Sequence, residues 1–371
     1  MNRQGSKHII ISGGGTGGHI FPAISIANAL LARDGTVEIL FVGALGRMEM
    51  ELVPSAGYKI TGLPVEGLNR KRVWKNPGVI IKAVRSLSVA RNIIKDFRPD
   101  VAVGVGGYAS GPLLWAAGKL KIPILIQEQN SYAGITNRIL SRKASVICVA
   151  YKGMEKYFPE EKIILTGNPV RSTYSELDKL RPEAMRYFNI DGKRPVALVL
   201  GGSQGAGSIN STLIESTERF KRSGVDWLWQ TGRNYFEKVN SKVLSGEINN
   251  VRVRSFIDRM DLAYAAADMI ISRSGAGTIS ELCLVGKPVI LVPSPNVAED
   301  HQTKNAMSLV EEGAAILLYD RDVISGMVNL VCELASDSER RQTLSENIRK
   351  LALPGSASLI ASEVLKLAEK V

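Results

Sequence analysis

The sequence predicts an α/β protein of two doubly wound parallel-sheet domains, and three observations carry that expectation. The chain has 371 residues, about two to three times the length of a usual domain. Short apolar runs alternate with longer stretches of helical period, the rhythm of strands joined by crossover helices. A Gly-rich strand-to-helix turn occurs twice, at Gly13 and again at Gly201, about half a chain apart.

In chain order, the first-half strand candidates are His8 to Ile11, Val37 to Val42, Val101 to Val103, Ile122 to Ile126 and Val146 to Val149. Helical stretches at Ala23 to Arg33, Pro77 to Phe97 and Leu113 to Lys119 fall between them. After Gly167-Asn168-Pro169 the rhythm restarts with Val196 to Leu200, a Gly-rich turn and a helix from about Ser208. Further strand candidates are Trp227 to Trp229, Val251 to Val253, Met269 to Ile271, Val289 to Val292 and Ala315 to Leu318. A last helix candidate, Ala357 to Lys370, follows a Pro354-Gly355 break, and the sequence alone assigns it to neither domain.

Hydrophobic residues make up 45% and charged residues 22%, which excludes both a disordered chain and a polytopic membrane protein. No stretch reaches the roughly 18 uninterrupted apolar residues of a spanning helix, so the expected place is the cytoplasm, with only peripheral membrane contact. Three cysteines, Cys148, Cys283 and Cys332, sit in apolar stretches without metal-ligand spacing, which fits a reducing compartment. The net charge of +11 is uneven. Residues 1 to 170 hold 22 basic and 11 acidic side chains, leaving 25 and 25 of the 47 and 36 for the remainder. One half is therefore expected to meet a polyanion or an anionic surface.

Ile9 to His19 reads I-I-I-S-G-G-G-T-G-G-H. Glycines let the backbone turn tightly and approach a ligand, and free N–H groups at a helix start favour phosphate. Gly13, Gly15 and Gly18 formally satisfy G-x-G-x-x-G. A dinucleotide fold then requires an acidic residue ending the second strand; that strand ends Phe41-Val42-Gly43-Ala44, which disfavours a nicotinamide enzyme. Similar turns stand at Gly104 to Tyr108, Gly201 to Gly207 and Ser272 to Thr278. Several such loops at strand ends point to a diphosphate-bearing ligand held between domains. Glu281, in the first turns of its helix, either balances the helix start or accepts two ribose hydroxyls.

Gly14-Gly15-Thr16-Gly17-Gly18-His19, followed by Phe21-Pro22-Ala23, resembles the opening of the MurG family of UDP-N-acetylglucosamine transferases. The resemblance runs nearly end to end. It takes in Gly106 to Pro112, Glu128-Gln129-Asn130, Gly167 to Arg171, Gly201 to Ala206, Phe256-Ile257-Asp258, Arg273 to Ala276 with Ser280-Glu281, and Asp300-His301-Gln302. Gln127 departs from it, where the family commonly has His.

The resemblance implies a GT-B fold of two Rossmann-like domains with an interdomain cleft. Residues 1–169 would face acceptor and membrane, residues 170–355 would bind UDP-GlcNAc, and a helix of about 356–371 would return to the first domain. It implies inverting transfer of GlcNAc from UDP-GlcNAc to the C4 hydroxyl of undecaprenyl-diphosphate-MurNAc-pentapeptide, converting lipid I to lipid II in peptidoglycan biosynthesis, a step of cell-wall biogenesis, cell shape and division. No cofactor, no metal and no nucleic acid enter. The implied place is peripheral, on the cytoplasmic face of the bacterial inner membrane, with other cell-wall synthesis proteins as candidate partners.

By the same resemblance, Arg171 and Ser203 would stabilise the departing UDP diphosphate, and Ile257 would contact uracil through its backbone. Ala276, Gly277, Thr278, Ile279 and Ser280 would line the nucleotide and phosphate site. Glu281 would hold the ribose and Gln302 the sugar or ribose. Thr16, Gly17, Gly18 and Asn130 would face the GlcNAc and the acceptor, with Tyr108 on the acceptor side. An inverting transfer also needs a base. His19 is the one histidine at the first Gly-rich mouth, and a free imidazole's pKa suits that role; Glu128, at a strand end beside Asn130, is its rival.

Asp320-Arg321-Asp322 superficially matches a metal-binding D-x-D, but its place between a strand and a helix reads as helix capping. Between Asn69 and Arg91 lie seven basic residues and no acidic one. Arg70, Lys71, Arg72, Trp74 and Lys75 there form either a solvated face or a peripheral contact with anionic lipid. A UDP-GlcNAc 2-epimerase or another GT-B sugar transferase is the competing reading of the fold and nucleotide site.

Overall fold

The computed structural model describes residues 6–65, 77–170, 174, 176–202, 205–297 and 300–370. The chain divides into two compact units, one of Met1–Arg171 with Pro354–Val371, the other of Ser172–Leu353.

The first unit runs β1 (His8–Ser12), α1 (Gly17–Arg33), β2 (Glu38–Ala44), α2 (Glu49–Ser55), β3 (Lys59–Leu63), α3 (Pro77–Phe97), β4 (Val101–Gly104), α4 (Ser110–Lys119), β5 (Ile124–Glu128), α5 (Ile135–Leu140), β6 (Val146–Val149) and β7 (Ile163–Leu165). Its seven strands are ordered β3-β2-β1-β4-β5-β6-β7, and every pairing is parallel. Central strands such as Ile9-Ile10-Ile11 and Val101-Ala102-Val103 are fully buried because helices cover both faces of the sheet.

α1 begins at Gly17, six residues before the sequence predicts. Glycine is a poor helix former, but Ile20 packs against the sheet and draws the first turn into helix. The chain's last helix, α15 (Ser356–Ala368, numbered after those of the second unit), places Ile360, Val364 and Leu367 in the same cluster as Ile20, Ile26 and Leu30 of α1. Each such burial is worth about 1.5–3 kcal/mol, so α15 is an integral wall of this core.

The second unit runs α6 (Leu177–Phe188), β8 (Val196–Leu200), α7 (Gly207–Glu215), α8 (Thr217–Arg222), β9 (Asp226–Gln230), α9 (Phe236–Ser245), β10 (Val251–Arg254), α10 (Met260–Ala266), β11 (Met269–Ser272), α11 (Ala276–Val285), β12 (Val289–Leu291), α12 (His301–Val310), β13 (Ile316–Leu317), α13 (Val323–Ser336) and α14 (Ser338–Lys350). Its strands are ordered β10-β9-β8-β11-β12-β13, again all parallel. Phe220, Trp227 and Trp229 stack in its core, with ring centroids 4.7 to 6.2 Å apart.

In both sheets the strand order reverses at the first strand of the unit. Within the first unit the loops after β1 and β4, and within the second those after β8 and β11, therefore flank that unit's own crevice at the carboxyl ends of its strands, where open α/β sheets bind ligands. The four Gly-rich turns singled out in the sequence are these four loops.

Candidate active site

In the first unit, Thr16 is the N-cap of α1 in extended conformation, and its carbonyl accepts the N–H groups of His19 and Ile20 at 3.1 and 3.2 Å. Thr16 Oγ1 and His19 Nδ1 lie 3.1 Å apart. The half-buried His19 ring packs on the next loop: a Cβ at Gly106 would sit 2.8 Å from its Cδ2, and one at Gly107 only 2.3 Å from the Gly14 carbonyl. Both glycines have positive φ, 95° and 90°, so only glycine serves there. The turns after β1 and β4 are thus pressed together. Ser110 locks them, its one hydroxyl proton shared between the carbonyls of Ser12 and Gly106, 2.9 and 2.8 Å from Oγ. Tyr108 stays half exposed beside Gly15.

The expectation of a phosphate cradle in the first turn needs a correction. Glu49, absent from the sequence-based candidates, accepts the Gly15 N–H on Oε2 at 3.0 Å. A protein carboxylate at that amide keeps phosphate from it. Thr16 and Gly18 are the exposed residues of the turn, with Gly15, Gly17 and His19 half buried.

Glu128, the rival base, is 2% exposed and fully engaged. Its Oε1 accepts the backbone and side-chain N–H groups of Asn130 at 3.1 and 3.2 Å, and Oε2 those of Gly134 and Asn137 at 3.0 and 2.8 Å. Burial raises its pKa, and these donors work against the rise. A sealed carboxylate with four donors orders the loop that carries Asn130. Gln127, where the resembled family has His, is also fully buried. Its amide bonds Gln129 on one side and Asn168 on the other, so it belongs to an internal amide ladder.

In the second unit the loop after β11 begins with Arg273. Its guanidinium donates to Asp320, to the carbonyls of Val292 and Pro293 at 3.2 Å, and to Ser208 Oγ at 2.9 Å. Ser208 in turn donates to Asp320 at 2.6 Å. Asp320 is therefore the anchor of an arginine that joins the start of α7 to the loop after β11, and the expectation of helix capping by the D-x-D is met in position only: Asp322 is the N-cap of α13, without a side-chain cap bond.

α11 starts on Gly275, and the Ile279 N–H already bonds the Gly275 carbonyl at 2.9 Å. The Ile279 side chain is 1% exposed. Ala276, Gly277, Thr278 and Ser280 beside it are half buried. Glu281 is held by two tyrosines that the sequence did not flag. Tyr174 Oη donates to Glu281 Oε1, and Tyr264, edge-on to Tyr174 at 5.3 Å, also bonds the carboxylate. Burial first, then the Glu281 charge, push the Tyr264 hydroxyl well above its ordinary pKa. A carboxylate has about four acceptor positions, and these two hydroxyl donors order the one on α11. Gln302 Oε1 accepts the Ser294 N–H at 2.9 Å, leaving Nε2 without an acceptor among the described residues. Ile257 is buried beside half-exposed Phe256.

Arg171, Ser203, Arg70, Lys71, Arg72, Trp74 and Lys75 lie outside the described residues. Among those described, no group of three or more His, Cys, Asp or Glu side chains could hold a metal ion.

Comparison with known proteins follows the same two-unit division. The glycosyltransferase family 28 N-terminal domain matches residues 9–149, and the glycosyltransferase family 28 C-terminal domain matches residues 196–360. The chain is 56% identical over 363 residues to the UDP-N-acetylglucosamine--N-acetylmuramyl-(pentapeptide) pyrophosphoryl-undecaprenol N-acetylglucosamine transferase of Bacteroides thetaiotaomicron, covering 97% of this chain and 98% of that protein. It is 52% identical over 373 residues to the transferase of the same name from Porphyromonas gingivalis W83, covering 100% and 98%. Among solved structures, Acinetobacter baumannii MurG superposes with a TM-score of 0.80 at 29% identity over 97% of this chain and 99% of that one. The UDP-GlcNAc 2-epimerase of Neisseria meningitidis shares the fold alone, with a TM-score of 0.63 at 16% identity over 98% and 100%.

Proposed function

The chain belongs to glycosyltransferase family 28, and from that premise we infer that it transfers N-acetylglucosamine from UDP-GlcNAc to lipid I, giving lipid II in peptidoglycan synthesis. One observation carries this reading: identity above half over essentially the whole chain to proteins that bear that one transferase name. The 2-epimerase alternative rests on likeness of fold only.

Transfer with inversion requires the C4 hydroxyl of the acceptor to attack in line as UDP departs, with a base for its proton and donors for the growing diphosphate charge. In this reading His19 takes the proton on Nε2. That nitrogen is a base only in the tautomer whose Nδ1–H donates to Thr16 Oγ1, so Thr16 sets the tautomer as well as capping α1. Glu128 supports the reaction indirectly, by ordering the loop of Asn130. The starts of α7 and α11 offer helix N-termini to the diphosphate, and Arg273 ties the start of α7 to the loop after β11. Arg171 and Ser203 are assigned to the same charge. Glu281 is assigned to the ribose, its carboxylate oriented by Tyr174 and Tyr264, and Gln302 turns its Nε2 to the hexose. The first unit, residues 1–169 with the last helix, takes the acceptor, and residues 170–355 take the nucleotide sugar.

No helix among the described residues is long and apolar enough to cross a membrane. The reading places the enzyme peripherally on the cytoplasmic face, where a lipid-anchored acceptor lies. Three features support it. The segment from Asn69 to Arg91 is basic and carries no acid. α3, which follows its start, packs on α4. α4 exposes Trp115, with the Lys119 and Lys143 ammonium groups 5.3 and 5.1 Å from its ring centroid, an apolar body with cationic neighbours suited to an anionic interface.

The anomeric configuration of the product tests the mechanism. A β-linked disaccharide, formed with a turnover that His19→Ala lowers while UDP-GlcNAc still binds, is expected. An α-linked product, or normal turnover in His19→Ala, would contradict it.

A further inference from the structure

We propose that Glu49 is a positioning residue for the transfer, its buried carboxylate fixing the Gly-rich turn that presents Thr16 and His19. The proposal rests on the reading of His19 as the base.

Glu49 opens α2 and is 0% exposed. Carboxylates are almost never fully buried without a partner, and among the described residues no cation lies within 4 Å of this one. Its compensation is two backbone donors. Oε1 accepts the Ala44 N–H and Oε2 the Gly15 N–H, each at 3.0 Å. Ala44 ends β2 and Gly15 follows β1, so one side chain staples the carboxyl ends of two neighbouring strands through charge-assisted bonds.

The backbone is moulded around this side chain. A Cβ at Gly14 would fall 2.1 Å from Glu49 Oε1, and one at Gly43 would fall 2.6 Å from Cγ. From the opposite side Gly107 closes on the Gly14 carbonyl. Gly14 is thus gripped between the carboxylate and the loop after β4, and Gly15, at φ 83°, turns the chain directly into Thr16. A shift of the Gly15 amide is carried through one residue to the hydroxyl that partners His19 Nδ1. Glu49 itself, sealed from solvent, does not touch substrate; it acts through the turn.

The chemistry selects the variant. Glutamine keeps the size of Glu49 but offers one acceptor oxygen, and its NH2 must face one of two N–H donors, so one end of the staple is lost. Purified full-length chain is assayed with labelled UDP-GlcNAc and short-chain lipid I. Glu49→Gln is expected to lower kcat about 10- to 100-fold, the scale of a misplacement near 1 Å, with KM for UDP-GlcNAc within about twofold. In a double-mutant cycle, Glu49→Gln is expected to add no further loss to His19→Ala, because it acts through that histidine. Wild-type kcat in Glu49→Gln beside an inactive His19→Ala, or losses that simply add, would overturn the proposal. Near-normal kcat in His19→Ala would instead overturn the base reading on which it rests. If Glu49→Gln does not fold by circular dichroism, Glu49→Asp, which reaches only one of the two amides, is judged by the same criteria. Loss of fold in both variants would make Glu49 a folding residue and reject the positional claim.

Discussion

The side-chain amide of Asn137 donates to Oε2 of Glu128 at 2.8 Å, completing a set of four donors around one buried carboxylate. Glutamine at position 128 would set an NH2 against two of them, at roughly 1–3 kcal/mol of stability for an unmet buried group. Because the carboxylate is an organiser, kcat in Glu128→Gln is expected to fall less than about tenfold, against the 10²- to 10⁴-fold typical of a lost general base in His19→Ala. The sign of the pH effect also follows. The folded-state pKa is raised by burial, so protonation favours the fold. Wild type should lose stability relative to Glu128→Gln as pH rises through that raised value, as measured by thermal unfolding at a series of pH values.

Arg273 and Asp320 form an ion pair with side chains 20% and 23% exposed, and Arg273 reaches Ser208 beside it. Arg273→Ala should cost on the order of 1.5–3 kcal/mol, the range for a hydrogen bond to a charged group. UDP-GlcNAc affinity should weaken about tenfold, since the start of α7 and the loop after β11 lose their common tie. Calorimetric titration and thermal melts measure the two effects. A metal at Asp320 would have to displace the guanidinium, so full transfer activity is expected in EDTA; a strict need for Mg2+ or Mn2+ would contradict this.

Burial pushes the thiols of Cys148 and Cys283 up to about 12. At pH 8 only about one molecule in ten thousand carries either thiolate. Native protein should therefore show slow modification by a thiol reagent, led by Cys332, which is half buried. All three cysteines should react promptly once the chain is unfolded. Fast native labelling of Cys148 would show that the core around β6 opens.

Reversal of Lys71, Arg72 and Lys75 to Glu should weaken binding to anionic vesicles by at least about 100-fold, taking about 1 kcal/mol per basic residue near the surface. Sedimentation with phosphatidylglycerol vesicles at low and high salt measures it. Unchanged binding in the triple variant would remove this segment from the membrane contact.

Much of the fold was legible because the central strands are continuous apolar runs: Val146 to Val149 and Val196 to Leu200 match β6 and β8 residue for residue. β3 and β7 were missed for opposite physical reasons. β3, Lys-Ile-Thr-Gly-Leu, breaks its apolar run with Thr61 and Gly62, as an edge strand can. β7 has three residues at the other edge. The Gly-rich turns were legible because close backbone contact demands glycine. Glu49, and the partner of Asp320, were not. Glu49 in Met-Glu-Met reads as a surface residue until folding brings it to Gly15, 34 positions away, and nothing local to Asp320 announces Arg273, 47 positions away.

The most direct test of the central claim is transfer from labelled UDP-GlcNAc in the presence and absence of a short-chain MurNAc-pentapeptide lipid diphosphate. Label is expected in a GlcNAc-MurNAc lipid only when the acceptor is present, with UDP-GlcNAc alone left unchanged. Formation of UDP-ManNAc without acceptor, or no label in the lipid with acceptor present, would contradict it.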